Sequence, residues 1–192
     1  GNAPACGDDL VGVLNYNTIK RAALVLSRYF CKMPEKNIAV MLPASAGTYI
    51  VILALLFAGK IPVMLNWTLG PRYLDEMMKT SGAKRVISSW RFLDRLSHVE
   101  FGDLIDRIEL LEDIRQSLTL SMKLGGLFLS LSSVASVLRC THLNRLDENQ
   151  PAVILFTSGT EATPKGVPLS HKNILSNQRS AMQCLALRAD DV

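Results

Sequence analysis

Five short apolar runs, spaced along the chain and separated by stretches of helical pattern, constrain this sequence more than any other feature. Ile38 to Leu42, Lys60 to Leu65, Arg85 to Ser88, Ile108 to Leu111 and Ala152 to Phe156 have strand length, and the last reads as a strand buried in a parallel sheet. Thr48 to Ala58 is almost continuously apolar and is closed by Gly59, a helix-stop signal, so this helix should be buried on most sides. Gly70-Pro71 opens another helix that runs to about Thr80, and Gly82 ends it; Arg91 to Val99 reads as a short helix. Alternation of this kind predicts an α/β fold, with a parallel-type sheet covered by helices. Composition agrees, because 48% hydrophobic and 20% charged residues describe a chain that folds rather than a disordered one.

The fifth run opens into a loop of hydroxyls and glycines holding one lysine, Thr157-Ser158-Gly159-Thr160-Glu161-Ala162-Thr163-Pro164-Lys165-Gly166. Such a loop suits polyphosphate. Small residues let backbone N–H groups converge, hydroxyls add short donors, and an ammonium follows charge as it moves onto a leaving group. Gly159 and Gly166 permit the close approach, Thr157, Ser158 and Thr160 supply hydroxyls, and Lys165 supplies the charge. A helical pattern begins at about Ser170, so the expected setting is strand, loop, helix, with Ser170 as the helix cap. The Walker spacing is absent, since Pro164 precedes the lysine and Gly166 and Pro168 follow it. A GTPase or P-loop ATPase is disfavoured.

In register, Thr157, Ser158, Gly159, Thr160, Pro164, Lys165, Gly166 and Val167 resemble the phosphate-binding signature Thr-Ser-Gly-Ser/Thr-Thr-Gly-x-Pro-Lys-Gly-Val of the adenylate-forming enzymes. Glu161 stands where threonine is common in that family, and Ala162 where glycine is common. Upstream, Leu14 to Lys20, Asn37 to Pro43, Ala54 to Val63, Leu65-Asn66 and Ser81 to Ile87 are similar to the same family, with Asn15 at a threonine position. Glu161 resembles the branch that activates fatty acids for acyl carrier protein and lysophospholipid acylation (acyl-acyl carrier protein synthetase / 2-acylglycerophosphoethanolamine acyltransferase). The resemblance implies ATP with Mg2+, a fatty acid as substrate, and acyl carrier protein or CoA as thiol acceptor. It also implies roles: Lys165 as the catalytic residue, and Thr157, Ser158, Gly159, Thr160, Glu161, Lys165 and Gly166 as the nucleotide grip.

Members of that family continue well past this loop, to a Tyr-Gly-x-Thr-Glu segment, a ribose-binding aspartate, a hinge and a C-terminal subdomain with a second lysine. None of these occurs before Val192. The expectation is that residues 1–192 are an N-terminal fragment of an adenylation domain, without the C-terminal subdomain and inactive alone.

Leu124, Leu127, Phe128, Leu131, Val134, Ala135 and Leu138 fall at three- and four-residue steps, so residues 120–139 read as an amphipathic helical segment. Its uncharged run is shorter than the roughly 20 residues a membrane span needs. Two expectations follow: a helix packed on the sheet, or an interfacial helix flanked by Lys123 and Arg139 that touches a membrane surface or admits an acyl chain. A noncatalytic lipid- or partner-binding fragment is the corresponding alternative function. No secretory signal is visible, which points to the cytoplasm, with a peripheral place at the inner face of a membrane if the segment meets lipid.

The remaining signals are weaker. Cys6, Cys31, Cys140 and Cys184 lack metal-type spacing and are expected to stay reduced; no metal ligands are assigned. His98 with Asp103, and His142 with Asp147, share the His-x-x-x-x-Asp spacing of glycerolipid acyltransferases, whose Pro-Glu-Gly-Thr-Arg-type phosphate site is missing here. A net charge of +4 without a basic stripe interleaved with aromatics argues against nucleic acid.

Overall fold

A computed structural model describes residues 2–9, 11–141, 143–157 and 164–185. A small antiparallel hairpin, β1 (Pro4–Asp8) and β2 (Gly12–Asn15), precedes the main body. Asp8 closes its turn by accepting the Val11 N–H at 2.8 Å, and its other carboxylate oxygen takes the Ala46 N–H at 2.9 Å, joining the hairpin to the body.

The body is a six-stranded sheet in the order β6-β5-β3-β4-β7-β8. Strands β3 (Asn37–Val40), β4 (Ile61–Met64), β5 (Val86–Ser88), β6 (Ile108–Leu110) and β7 (Pro151–Thr157) run parallel, and β8 (Lys165–Ser170) runs antiparallel to β7. The sheet is therefore mixed but mostly parallel, with helices on both faces, as the alternating runs predict.

Strand residues alternate between two cores because successive side chains point to opposite faces. Ile38 and Val40 join Val51, Ala54 and Leu55 of α2 (Ala46–Phe57) and Ala23 and Phe30 of α1 (Tyr16–Phe30). Ala39 and Met41 join Leu74, Met77 and Met78 of α3 (Pro71–Ser81) on the other face. This double burial explains why the strands read as continuous apolar runs.

Local chemistry sets the ends of these helices. Asn15, standing where the family carries threonine, accepts the Thr18 N–H at 2.8 Å and caps α1; Asn is as good as Ser or Thr in that role. Ser45 caps α2 in the same way through Thr48 N–H at 3.2 Å. In α2 every residue from Ile50 to Phe57 is buried or half-buried. Gly59 and Gly82 both take positive φ, 68° and 65°, directly after α2 and α3, a conformation that strains any residue with a Cβ.

Residues 120–139 depart from expectation in three ways. They form two helices, α6 (Leu120–Leu131) and α7 (Val134–Cys140), broken where Ser133 caps α7 by accepting the Ser136 N–H at 3.3 Å. They pack on α1, as a further layer outside the sheet-covering helices, instead of on the sheet. The buried positions are Met122, Gly126, Leu129, Ser130 and Val137, whereas Leu124, Phe128, Leu131, Val134 and Leu138 face outward. The reason is steric: a Cβ on Gly126 would lie 2.5 Å from Val25 Cα, so the small residue, not the leucine row, lets α6 come down onto α1.

The short helices α4 (Trp90–Arg95) and α5 (Leu111–Ser117) follow β5 and β6, and the expected Arg91 to Val99 helix ends at Arg95, with Leu96 as its C-cap. After β8 comes α8 (His171–Leu185), largely exposed.

Candidate functional site

The loop lies between β7 and β8, so the strand, loop, helix setting expected from the sequence is corrected to strand, loop, strand, helix. Lys165 begins an antiparallel return strand, and helix α8 starts only at His171. The sequence missed β8 because Lys165-Gly166-Val167-Pro168-Leu169-Ser170 contains a proline and a glycine, which argue against a strand unless it lies at an edge. Among the described strands β8 is at the sheet edge.

Register then decides what the lysine can reach. Thr157 and Lys165 are direct cross-strand partners, so their side chains leave the same face with Cβ atoms roughly 5 Å apart. Both are exposed. Phe156 pairs with Gly166, and a Cβ at Gly166 would stand 3.3 Å from the Phe156 ring. Absence of that Cβ leaves the ring room to lie along β8, where Phe156 packs against the α3-side core. Gly166 thus seats the root of the hairpin, beside the buried Pro164. Ser158, Gly159, Thr160 and Glu161, also expected in the grip, lie outside the described residues, as do Ala162 and Thr163.

Ser170 caps α8 through a reciprocal pair: its Oγ accepts the Asn173 N–H at 3.1 Å, and Asn173 Oδ1 accepts the Ser170 N–H at 3.0 Å. His171, half-buried at the first turn, is held below the ordinary imidazole value by burial.

A second feature lies at the same carboxyl end of the parallel strands. Chain connections leave β3 toward β4 and β5 toward β6, in opposite directions, so the carboxyl ends of β3 and β5 flank a topological switch point, where ligands of open α/β sheets bind. There Ser88 Oγ donates to the Met41 carbonyl at 2.8 Å and locks the two strand ends. Above them opens a cleft of about 340 Å³ lined by Pro43, Ser45, Ser89, Arg91, Arg95 and Arg115, among others. Two carboxylates at this cleft are engaged by backbone, Asp8 with Ala46 N–H and Glu112 with Trp90 N–H at 3.1 Å. The three arginines form no ion pair among the described residues. β7 is two strands from β3 and three from β5, which puts Thr157 and Lys165 roughly 10–15 Å along this end of the sheet from the cationic cleft. The sequence carried a usable sign of it, arginines just after two predicted strands, that the loop motif overshadowed.

His98 is exposed in the turn after α4, and no hydrogen bond joins it to the exposed Asp103; His142 lies outside the described residues. The four cysteines are free thiols.

Comparison with known proteins gives this geometry its context. The sequence model of the AMP-binding enzyme family matches residues 3–192. This chain belongs to the AMP-binding enzyme family. It is 28% identical over 195 residues to the mitochondrial medium-chain acyl-CoA ligase ACSF2 of Pongo abelii, covering 92% of the chain and 31% of that relative. To the long-chain-fatty-acid–CoA ligase of Bacillus subtilis (strain 168) it is 25% identical over 185 residues, covering 85% of the chain and 33% of the relative. The chain thus spans about a third of the length of these ligases. Among solved structures, VinN with 3-methylaspartate matches with a TM-score of 0.70 at 22% identity, covering 99% of this chain and 49% of that one. At that identity the match establishes the fold.

Proposed function

We propose that this chain belongs to a ligase that activates a fatty acid as its acyl-adenylate and passes the acyl group to a thiol of CoA or acyl carrier protein. The observation that carries the reading is the Thr157–Lys165 register pair, which sets an exposed ammonium and hydroxyl side by side at the root of the hydroxyl-rich loop. In the first step a carboxylate oxygen attacks the α-phosphorus of ATP, and the bond to the bridging oxygen breaks, releasing pyrophosphate. Lys165 offsets charge gathering on that leaving group, while Thr157 and the loop donors hold its oxygens; this is electrostatic stabilisation without proton transfer. In the second step the thiol sulfur attacks the acyl carbon and AMP departs. Both acceptors carry phosphate next to the pantetheine arm, which the Arg91, Arg95 and Arg115 cleft suits by charge. ATP would enter with Mg2+, held chiefly by the nucleotide's own phosphate oxygens, because the described residues include no group of three or more His, Cys, Asp or Glu that could hold the ion by themselves.

The test is pyrophosphate release by the whole protein with ATP and a fatty acid. Lys165→Ala should slow this half-reaction by roughly 10²-fold, the loss typical of one group aimed at developing charge, and should affect thioester formation from preformed acyl-adenylate much less. The reverse order would refute the assignment. The 192-residue chain by itself should release no pyrophosphate, because it spans only about a third of the length of the ligases it matches.

A further inference from the structure

The outer faces of α6 and α7 carry apolar side chains that no described residue covers. Phe128 is 68% exposed and Leu131 73%, with Leu120 and Leu124 extending their row on α6, and Val134 (71%) and Leu138 are exposed on α7. Within α6, Leu120, Leu124, Phe128 and Leu131 recur one helical turn apart on the side away from buried Met122 and Leu129, while in α7 Val134 and Leu138 are exposed beside buried Val137. From Leu120 to Leu131 this apolar ridge runs about 16 Å, too short to cross a bilayer and long enough to lie along its surface. No described helix is long and apolar enough to span a membrane.

Charge around the ridge is segregated by sign. Residues 16–34, which contain α1, and 118–146, which contain α6 and α7, hold seven basic residues and no Asp or Glu, although the chain as a whole has 17 acidic residues. Exposed Lys123 and Arg139 sit on the ridge helices themselves. On the other side the Arg28 guanidinium of α1 lies against Gly125, 3.4 Å from where a Cβ would be, with Lys32 in the turn just after α1.

We propose that α6 and α7 dock this protein on an anionic lipid bilayer, the apolar ridge entering the headgroup boundary and the α1, α6 and α7 cations meeting lipid phosphates. Apolar side chains on one face, cations at its borders and no carboxylates are the pattern of an in-plane interfacial helix. A protein partner is the less fitting occupant, because binding hot spots favour Trp, Tyr and Arg at their centre, and this ridge is Leu, Val and one Phe. The inference stands apart from the ligase chemistry, since none of its residues belongs to the hairpin or the cleft.

Vesicle flotation of the whole protein tests it, using phosphatidylcholine alone and phosphatidylcholine mixed equally with phosphatidylglycerol. The protein should float with the anionic vesicles, less with the neutral ones, and less as salt rises. Phe128→Asp with Leu131→Asp should weaken binding roughly tenfold or more, since two apolar side chains are withdrawn and two like charges added. Lys123→Glu with Arg139→Glu should remove the preference for anionic lipid. Both pairs are exposed, so circular dichroism should show the fold retained, and Trp90→Asp, an equally exposed apolar site elsewhere, should float like the parent. Failure of the parent to float, equal flotation of the Asp pair, or a dimer dissociated by the Asp pair without vesicle binding would each overturn the proposal. None of these readouts requires ATP, so their failure is separable from failure of the ligase reading.

Discussion

Gly126→Ala and Gly125→Ala should change stability in opposite directions, although the two glycines are neighbours in one helix. Any glycine in a helix interior costs roughly 0.5–1 kcal/mol relative to alanine, so each substitution starts with that gain. At Gly126 the new methyl would sit 2.5 Å from Val25 Cα, 2.7 Å from Val25 Cγ2 and 2.8 Å from Val25 N. Carbon atoms pack at about 3.5–4.0 Å, and two of those three neighbours are backbone, so α6 must lift away from α1. Overpacking of this kind costs about 1–3 kcal/mol, the upper part of that range applying where backbone must move. The balance is a loss of about 1–2 kcal/mol, or roughly 2–8 °C in Tm for a domain of this size. At Gly125 the nearest atoms belong to the Arg28 guanidinium, 3.4 Å away at the tip of a flexible side chain that can swing aside. The helix-propensity gain therefore survives, worth up to about 1 kcal/mol. Urea unfolding followed by far-UV circular dichroism, with unchanged m values, would measure both. A Gly126→Ala variant as stable as the parent, or a Gly125→Ala variant losing as much, would refute the claim that α6 seats on α1 through this one residue.

Three further outcomes are expected. Asn15→Ala removes the cap of α1 and should cost about 1 kcal/mol in the same urea assay, with Asn15→Ser retaining most of it; an unchanged midpoint would contradict the cap. Hydrogen bonds from its own backbone N–H and from Arg85 hold the Glu35 carboxyl below the usual carboxylate range. A depressed folded value means stability that is present above the unfolded Glu value of 4.5 and lost as pH falls below it toward the folded value. The stability gap between the parent and Arg85→Met should accordingly narrow through that window, and a gap constant with pH would count against the pair. Burial lowers the His171 imidazole, so an NMR titration should place its midpoint below 6.5, and α8 should lose stability as pH falls through that region; a midpoint at or above 6.5 would show the ring solvated.

Much of the fold was legible in the sequence because its signals are local. Pro71 and Gly82 bracket α3, Gly59 ends α2, and apolar runs of strand length mark β3, β4, β5, β6 and β7. The loop motif was legible too, since its hydroxyls, glycines and lysine stand together in sequence and need no partner elements to be read. The geometry of that site was not. β8 is a strand only because β7 offers it hydrogen-bonding partners, so pairing across the hairpin, and not propensity, puts Thr157 opposite Lys165.

The Arg91, Arg95 and Arg115 cleft makes the same point at longer range, because two of its arginines follow β5 and the third follows β6, and the parallel pairing of those strands brings them together. Residues 120–139 show the limit most clearly. Periodicity alone identified an amphipathic pattern there and left open whether the leucine row packs inside or faces an interface. Tertiary structure decided it, because α6 meets α1 closely at Gly126, where missing side-chain volume lets two helix backbones approach and leaves most of the leucines outside. Sequence periodicity determines that a helix has two faces; the shape of the surface it meets decides which one is buried.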